Sequence, residues 1–96
     1  MKFLAVEVVT LIHTNGEQEY AVVSTESPLD DIKEIIKADR LAMMHDTATG
    51  LYYLFDKDGV MMCRQMNAGF DQKSIEGELI TGPVVEIARE LIEDWI

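Results

Sequence analysis

The feature that most narrows the choice of fold is a pair of β-branched runs, FLAVEVVTLIH (residues 3–13) and QEYAVVS (18–24), separated by Thr14-Asn15-Gly16-Glu17. Branching at Cβ favours an extended, pleated backbone. Asn-Gly supplies the positive φ angles of a tight turn, so residues 3–24 are expected to form a β-hairpin closed by a type I′ turn. With a two-residue turn, Val9, Leu11, Tyr20 and Val22 share one face and Val8, Ile12, Ala21 and Val23 the other. Both faces are then largely apolar. A two-layer domain covers only one face of its sheet. The second face is therefore expected to meet a helix on the far side, a second copy of the chain in a homodimer, or a bound partner.

The rest of the chain reads as helix, meander, helix. Ser27-Pro28-Leu29-Asp30 offers a capping hydroxyl, a proline suited to the first helical position and an acid where the helix dipole favours one. A helix is predicted over about 28–39, with Leu29, Ile32, Ile35 and Ile36 on one face and Asp31, Lys33, Glu34 and Lys37 turned away. LAMMHD, LYYLF and VMMCRQM are short apolar runs divided by TATG and DKDG. They suit a three-stranded meander over about 41–66, although residues 41–44 also fit a prolonged helix. IEGELI suits one more short strand, and Pro83 opens a final helix over about 83–95. The fold class is α+β, an antiparallel sheet carrying two amphipathic helices. SPLDDIKEII and GPVVEIAREL align without gaps, as a pseudo-symmetric ββα arrangement would require.

Length and charge bound the function. Ninety-six residues support one hydrophobic core, hence a single domain over 1–96. The N-terminal apolar run contains Glu7, is too short to span a bilayer and lacks a small-residue cleavage site, so no membrane association is expected. One cysteine, Cys63, excludes an internal disulfide and a cysteine-based zinc cluster, and a cytoplasmic setting is expected. Eighteen acids against eight bases give a formal charge of −10, which repels nucleic acid and anionic membranes and attracts basic surfaces.

Residues 56–59, DKDG, raise the question of a metal loop. A calcium loop starting at Asp56 would need an oxygen ligand where Val60 stands and glycine where Met61 stands, so the pattern fails. DKDG instead matches a type I turn capped by Asp56, with Gly59 left-handed in a G1 bulge. Met43, Met44, Met61, Met62 and Met66 gather with Tyr52, Tyr53 and Phe55 in the meander, where adaptable thioethers serve either a core or a contact surface. Candidate reactive groups are His13, His45 beside Asp46, Cys63, Ser24 and Ser74. None lies in a nucleophile turn, and no phosphate loop or cofactor motif accompanies them, so no catalytic, cofactor or metal site is expected.

The last segment, TGPVVEIARELIEDWI, carries the candidate functional residues. On a helix, Val84, Ile87, Ala88, Leu91 and Trp95 dock and Glu86, Glu90, Glu93 and Asp94 point outward. Glu86, Glu90 and Asp94 would stand in one row spaced by roughly 6 Å along the axis, each like-charge pair costing about 0.2–0.5 kcal/mol. Glu93 and Asp94 also crowd the negative end of the helix dipole, with only Arg89 to offset them. An arrangement that costs stability suggests a surface kept for a cationic partner, a crude imitation of a nucleic-acid backbone. The expected function is thus a small acidic protein-binding module, an inhibitor or regulator occupying a basic surface of its partner. The alternative is a homo-oligomeric domain binding a small ligand, with the charge serving solubility.

Overall fold

The computed structural model describes residues 5–62, 64–70 and 80–95. The elements run β1 (Val6–Ile12), β2 (Gln18–Ser24), α1 (Pro28–Ile36), β3 (Leu41–Asp46), β4 (Leu51–Asp56), β5 (Val84–Ala88) and α2 (Arg89–Trp95). The strands form one five-stranded sheet in the order β2-β1-β5-β4-β3, and every pairing is antiparallel. The α+β expectation holds, with two corrections to its parts. No helix among the described residues is long and apolar enough to cross a membrane.

The first correction concerns residues 83–95. The first half of the predicted helix is β5, the central strand, paired to β1 on one side and β4 on the other. Only Arg89–Trp95, seven residues, is helical. Val84, Ile87, Ala88, Leu91 and Trp95 satisfy a helical period, but Val84, Val85 and Ile87 are β-branched and follow Gly82-Pro83. A strand covered on both faces also reads as a nearly continuous apolar run. Pro83 stands just before the strand, where its missing N–H breaks no ladder bond. Since the alignment of SPLDDIKEII with GPVVEIAREL matches a helix to a strand, the helical repeat it suggested is absent.

The second correction is in the meander. β3 and β4 form as predicted and Leu41–Met44 are strand, but Val60–Met66 is not the third strand. Val60–Met62 lies in a turn and Met66 makes only an isolated bridge to Thr81. Gly59 is not left-handed. Among the described residues the positive-φ glycines are Gly16, Gly50 and Gly82. Its requirement is space, because a Cβ there would lie 2.1 Å from the Thr81 hydroxyl oxygen. Asp56 does cap this turn, its Oδ1 accepting the Asp58 N–H at 2.9 Å. Most of IEGELI lies outside the described residues; Ile80 is buried.

Both helices cover the same face of the sheet. There Ile32 and Ile36 of α1 and Ile92 of α2 pack with Val9, Leu11, Val23, Leu54, Val85 and Ile87. Full burial of each such side chain contributes about 1.5–3 kcal/mol. On the opposite face Ile12, Met44, Tyr53, Phe55 and Val84 pack with Ile80 and Phe70, Tyr53 meeting Phe70 edge-on at 5.0 Å. This cover is held by Asn67, whose Nδ2 donates to the carbonyls of Ile12 and Gly82 while its Oδ1 accepts the Gly69 N–H.

α1 ends at Ile36, three residues before the predicted Asp39. Lys37 is left-handed, with the Lys37 and Ala38 N–H groups donating to the Glu34 and Lys33 carbonyls, a Schellman cap without glycine. Its N-terminus also departs from expectation. The Ser27 hydroxyl makes no cap bond, and Asp31 instead accepts the Ser24 backbone N–H at 2.7 Å.

Candidate binding surface

The predicted acidic row does not exist. Glu86 sits on β5 between Thr10 of β1 and Tyr53 of β4, and its side chain projects from the sheet face opposite the helices. Glu90, Glu93 and Asp94 are exposed on α2, on the other side of the sheet, where Arg89 donates to Glu93 at 2.9 Å. What survives of the row is Glu90 and Asp94, one turn apart on a short helix.

The hairpin places a different constellation on the open face. The β1–β2 connection is not a two-residue turn. Gly16 N–H donates to the His13 carbonyl and His13 N–H to the Glu17 carbonyl, with Gly16 at φ 88°. This is a type I turn followed by a left-handed glycine, the G1 bulge form. It pairs Leu11 with Glu19, Val9 with Ala21 and Thr10 with Tyr20, one residue out of the register expected for a type I′ turn. The slip moves every side chain of one strand to the opposite set. Val9, Leu11, Ala21 and Val23 therefore face the helices together. Val6, Val8, Thr10, Tyr20 and Val22 share the other face.

Four of those five are exposed apolar residues: Val6 56%, Val8 55%, Tyr20 82% and Val22 58%. Successive pairings run Tyr20, Thr10, Glu86, Tyr53 and Met44 across all five strands. The row passes from a covered end at Met44 and Tyr53 to an open end at Tyr20. Glu86 stands at the boundary. It is half-buried, and no cation among the described residues pairs with it. Its charge has a physical effect on its neighbour. Burial first, then the negative charges of Glu86 and Asp46, raise the Tyr53 phenol above its ordinary value, against a hydrogen bond from Thr49 that lowers it. Beside this row lies a hollow of about 210 Å³ lined by Thr10, Gln18, Glu19 and Tyr20.

At the far end of the molecule two arginines are consumed internally. Arg64 Nε pairs with the buried Asp56 at 2.7 Å, and its two terminal nitrogens donate to the Ile36 and Lys37 carbonyls at the end of α1. Arg40 pairs with Asp58 through two nitrogens, holding the Asp58 carboxyl below the usual range chiefly through that hydrogen bond. Lys37, Arg40 and Arg64 with Asp39, Asp56 and Asp58 line a hollow of about 250 Å³, a structural knot of matched charge. Met61 and Met62, both exposed, also line it, and Val60 next to them in sequence is exposed too. Of the methionines singled out in the sequence, Met44 is core and Met43, Met61, Met62 and Met66 are exposed.

The candidate reactive groups among the described residues, His13, His45, Asp46 and Ser24, are not brought together. His13 is half-buried rather than free in solvent and bonds Glu19 at 2.8 Å. His45 and Asp46 are consecutive β3 residues on opposite sheet faces. His45 stacks on Tyr52 at 4.2 Å, and Asp46 accepts the Ala48 N–H. Ser24 binds backbone and Ser27. Cys63 and Ser74 lie outside the described residues. Among the described residues no group of three or more His, Cys, Asp or Glu side chains is arranged to hold a metal ion.

Sequence reasoning named Glu86 but on the wrong element, and it missed the Val6, Val8, Tyr20, Val22 surface as a unit. The signal was present in His13-Thr14-Asn15-Gly16-Glu17, since Asn followed by Gly fits the third and fourth positions of a type I turn as well as the centre of type I′. No protein-family model, no curated protein and no solved structure matches this chain.

Proposed function

We propose that this chain is a small acidic protein-binding module that engages a basic partner protein through the open half of its sheet, and so inhibits or regulates that partner. The observation that carries the reading is Glu86, a half-buried carboxylate that no cation among the described residues pairs with, bordering an apolar surface of Val6, Val8, Tyr20 and Val22. Removing part of the water shell of a carboxylate costs free energy that an ion pair offsets. An arginine or lysine of a partner, set in apolar surroundings, would pair with Glu86 while its rim covers the valines. Such charge-assisted contacts are the stronger class of hydrogen bond. Glu90, Glu93 and Asp94, on the other face, contribute to the field that draws a basic protein in rather than to contact. The −10 charge opposes direct nucleic-acid binding, and a partner's own nucleic-acid-binding surface is the natural basic target. A cytoplasmic setting accords with a chain holding one cysteine.

The small-ligand alternative rests on the hollow beside Thr10 and Tyr20. At about 210 Å³ it falls below the roughly 300–1,000 Å³ of ordinary ligand sites, so the surface reading is preferred.

The test is affinity capture at low and high salt with the natural chain, Glu86→Gln, and the pair Glu90→Gln with Asp94→Asn. The expected outcome is a basic protein retained at low salt, released at high salt, lost with Glu86→Gln and retained with reduced yield by the α2 pair. Capture that survives Glu86→Gln and fails with the α2 pair would return the site to the C-terminal helix.

A further inference from the structure

We infer that two copies of this chain associate through the outer edge of β2, in an antiparallel arrangement that makes one ten-stranded sheet with its two-fold axis at Ala21. The inference is independent of the proposed partner, because it concerns the edge of the sheet rather than its open face.

The backbone decides which groups the edge offers. Thr25 N–H donates to the Ala5 carbonyl and His13 N–H to the Glu17 carbonyl. In the register of β1 with β2, these bonds make the odd-numbered residues of both strands the hydrogen-bonded pairs. Gln18, Tyr20, Val22 and Ser24 must therefore direct their N–H and C=O groups away from β1. β2 ends the strand order, and among the described residues no strand pairs with that side. One of the four is already occupied: the Ser24 N–H donates to Asp31 at 2.7 Å. Asp31 thus marks the limit of the edge. Among the described residues the run Gln18 to Val22 remains unpaired, with neither lysine, proline nor a bulge to blunt it, the devices by which sheet edges commonly avoid pairing.

A second copy fits this edge in its backbone groups, its charges and its side chains. With the axis at Ala21, Tyr20 lies opposite Val22 of the second copy, and the two residues exchange both of their backbone hydrogen bonds. Gln18 lies opposite Ser24 of the second copy, and donates to its carbonyl, the one group Asp31 leaves available. The charges also fit. Glu19 meets Val23 and Glu17 meets Thr25, so no like-charge pair stands directly opposite across the new ladder. On the open face the Tyr20–Val22 pairs are aromatic against β-branched, a favourable cross-strand combination. They join the Val6 and Val8 surfaces of both copies into one strip. The apolar surface available, some hundreds of Å² per copy, places the interface at the low end for specific complexes, below about 1,200 Å² in total, so a reversible dimer is expected.

Salt separates this contact from the proposed partner complex. Two chains of charge −10 repel, while backbone hydrogen bonds and apolar pairs are little screened, so added salt strengthens self-association and weakens a complex with a basic protein.

Sedimentation equilibrium over a wide concentration range, at low and high salt, should show one chain passing to two, with the midpoint moving at least threefold lower in concentration at high salt. Val22→Lys should stay a single chain under all conditions, with its circular dichroism unchanged. Ala21→Cys, made with Cys63→Ser, should form a covalent dimer under mild oxidation, which reads the register even if Val22→Lys fails to fold. A natural chain that stays single throughout, or a dimer that tolerates Val22→Lys and yields no Ala21→Cys cross-link, overturns the inference. A captured partner strand protecting the same edge while the natural chain remains single would also overturn it.

Discussion

The two ends of the sheet are each a hairpin, and they are finished differently. At the β3–β4 end both faces are covered except at Met43, which lies on the helix side and is 47% exposed. Leu41 and Leu54 lie toward the helices, and Met44, Tyr53 and Phe55 lie under Phe70 and Ile80. At the β1–β2 end the helix side is equally well packed through Val9, Leu11 and Val23, but Val6, Val8, Tyr20 and Val22 face solvent. The cover is anchored by buried polar groups, Asn67 above all, and it stops at Ile12 and Gly82, the carbonyls Asn67 binds. Single exposed apolar residues are ordinary. Four on one sheet face, beside a carboxylate that no cation among the described residues pairs with, are better explained as a surface that another molecule covers.

That contrast can be broken first at the covered end. Asn67→Ala removes three hydrogen bonds of 2.8–3.0 Å at a buried position and orphans two carbonyls and an amide. The expected loss is about 3 kcal/mol in chemical denaturation, and a loss under about 1 kcal/mol would mean that other contacts hold the cover. A gain is expected where α1 meets the same end. Lys37 takes a left-handed conformation that costs a residue with a Cβ about 1–2 kcal/mol. Lys37→Gly should stabilise by about 0.5–1 kcal/mol once the greater freedom of glycine in the unfolded chain is counted. Unchanged stability would show that the Arg64 bond to the Lys37 carbonyl, rather than backbone strain, governs this cap.

At the open end the expected effects on stability are smaller. The Ser24 backbone N–H, then its hydroxyl, hold the Asp31 carboxyl below its ordinary value. A group so lowered stabilises the fold above its unfolded value of about 3.9, and the contribution is lost as pH falls through the folded value. Denaturation of the natural chain and of Asp31→Ala should therefore differ at neutral pH and converge in acid; curves that stay parallel would remove Asp31 from the edge. Smallest of all, Val8→Thr and Val22→Thr should each change stability by less than about 0.5 kcal/mol. A loss above about 1 kcal/mol would show that these valines are packed in the free protein, and the contrast between the ends would fail.

Much of this was legible in the residues. The β1–β2 hairpin, α1 from its proline, β3 and β4 follow from local period and turn chemistry. What the local pattern could not decide was set by pairings distant in sequence. VVEIA suits a helix by spacing and a strand by branching, and it becomes the central strand because β1 and β4 both offer it an edge. The hairpin register differs by one residue between a type I′ turn with Asn-Gly at its centre and a type I turn with Asn-Gly at its last two positions, and that residue decides whether Tyr20 and Val22 are core or surface. Val60–Met66 has the composition of a strand, but β5 already occupies the inner edge of β4. Glu86 was singled out for its place on a helix and proves notable for standing on a strand at the limit of the apolar cover.

The most direct test of the open-face account is amide hydrogen exchange on the free protein and on its complex with the captured basic partner. The account predicts slowed exchange in the complex over Val6–Ile12 and Gln18–Ser24 and at Glu86, with Arg89–Trp95 and the turn at 57–62 unchanged. Protection confined to Arg89–Trp95, leaving β1 and β2 exchanging as in the free protein, would contradict it.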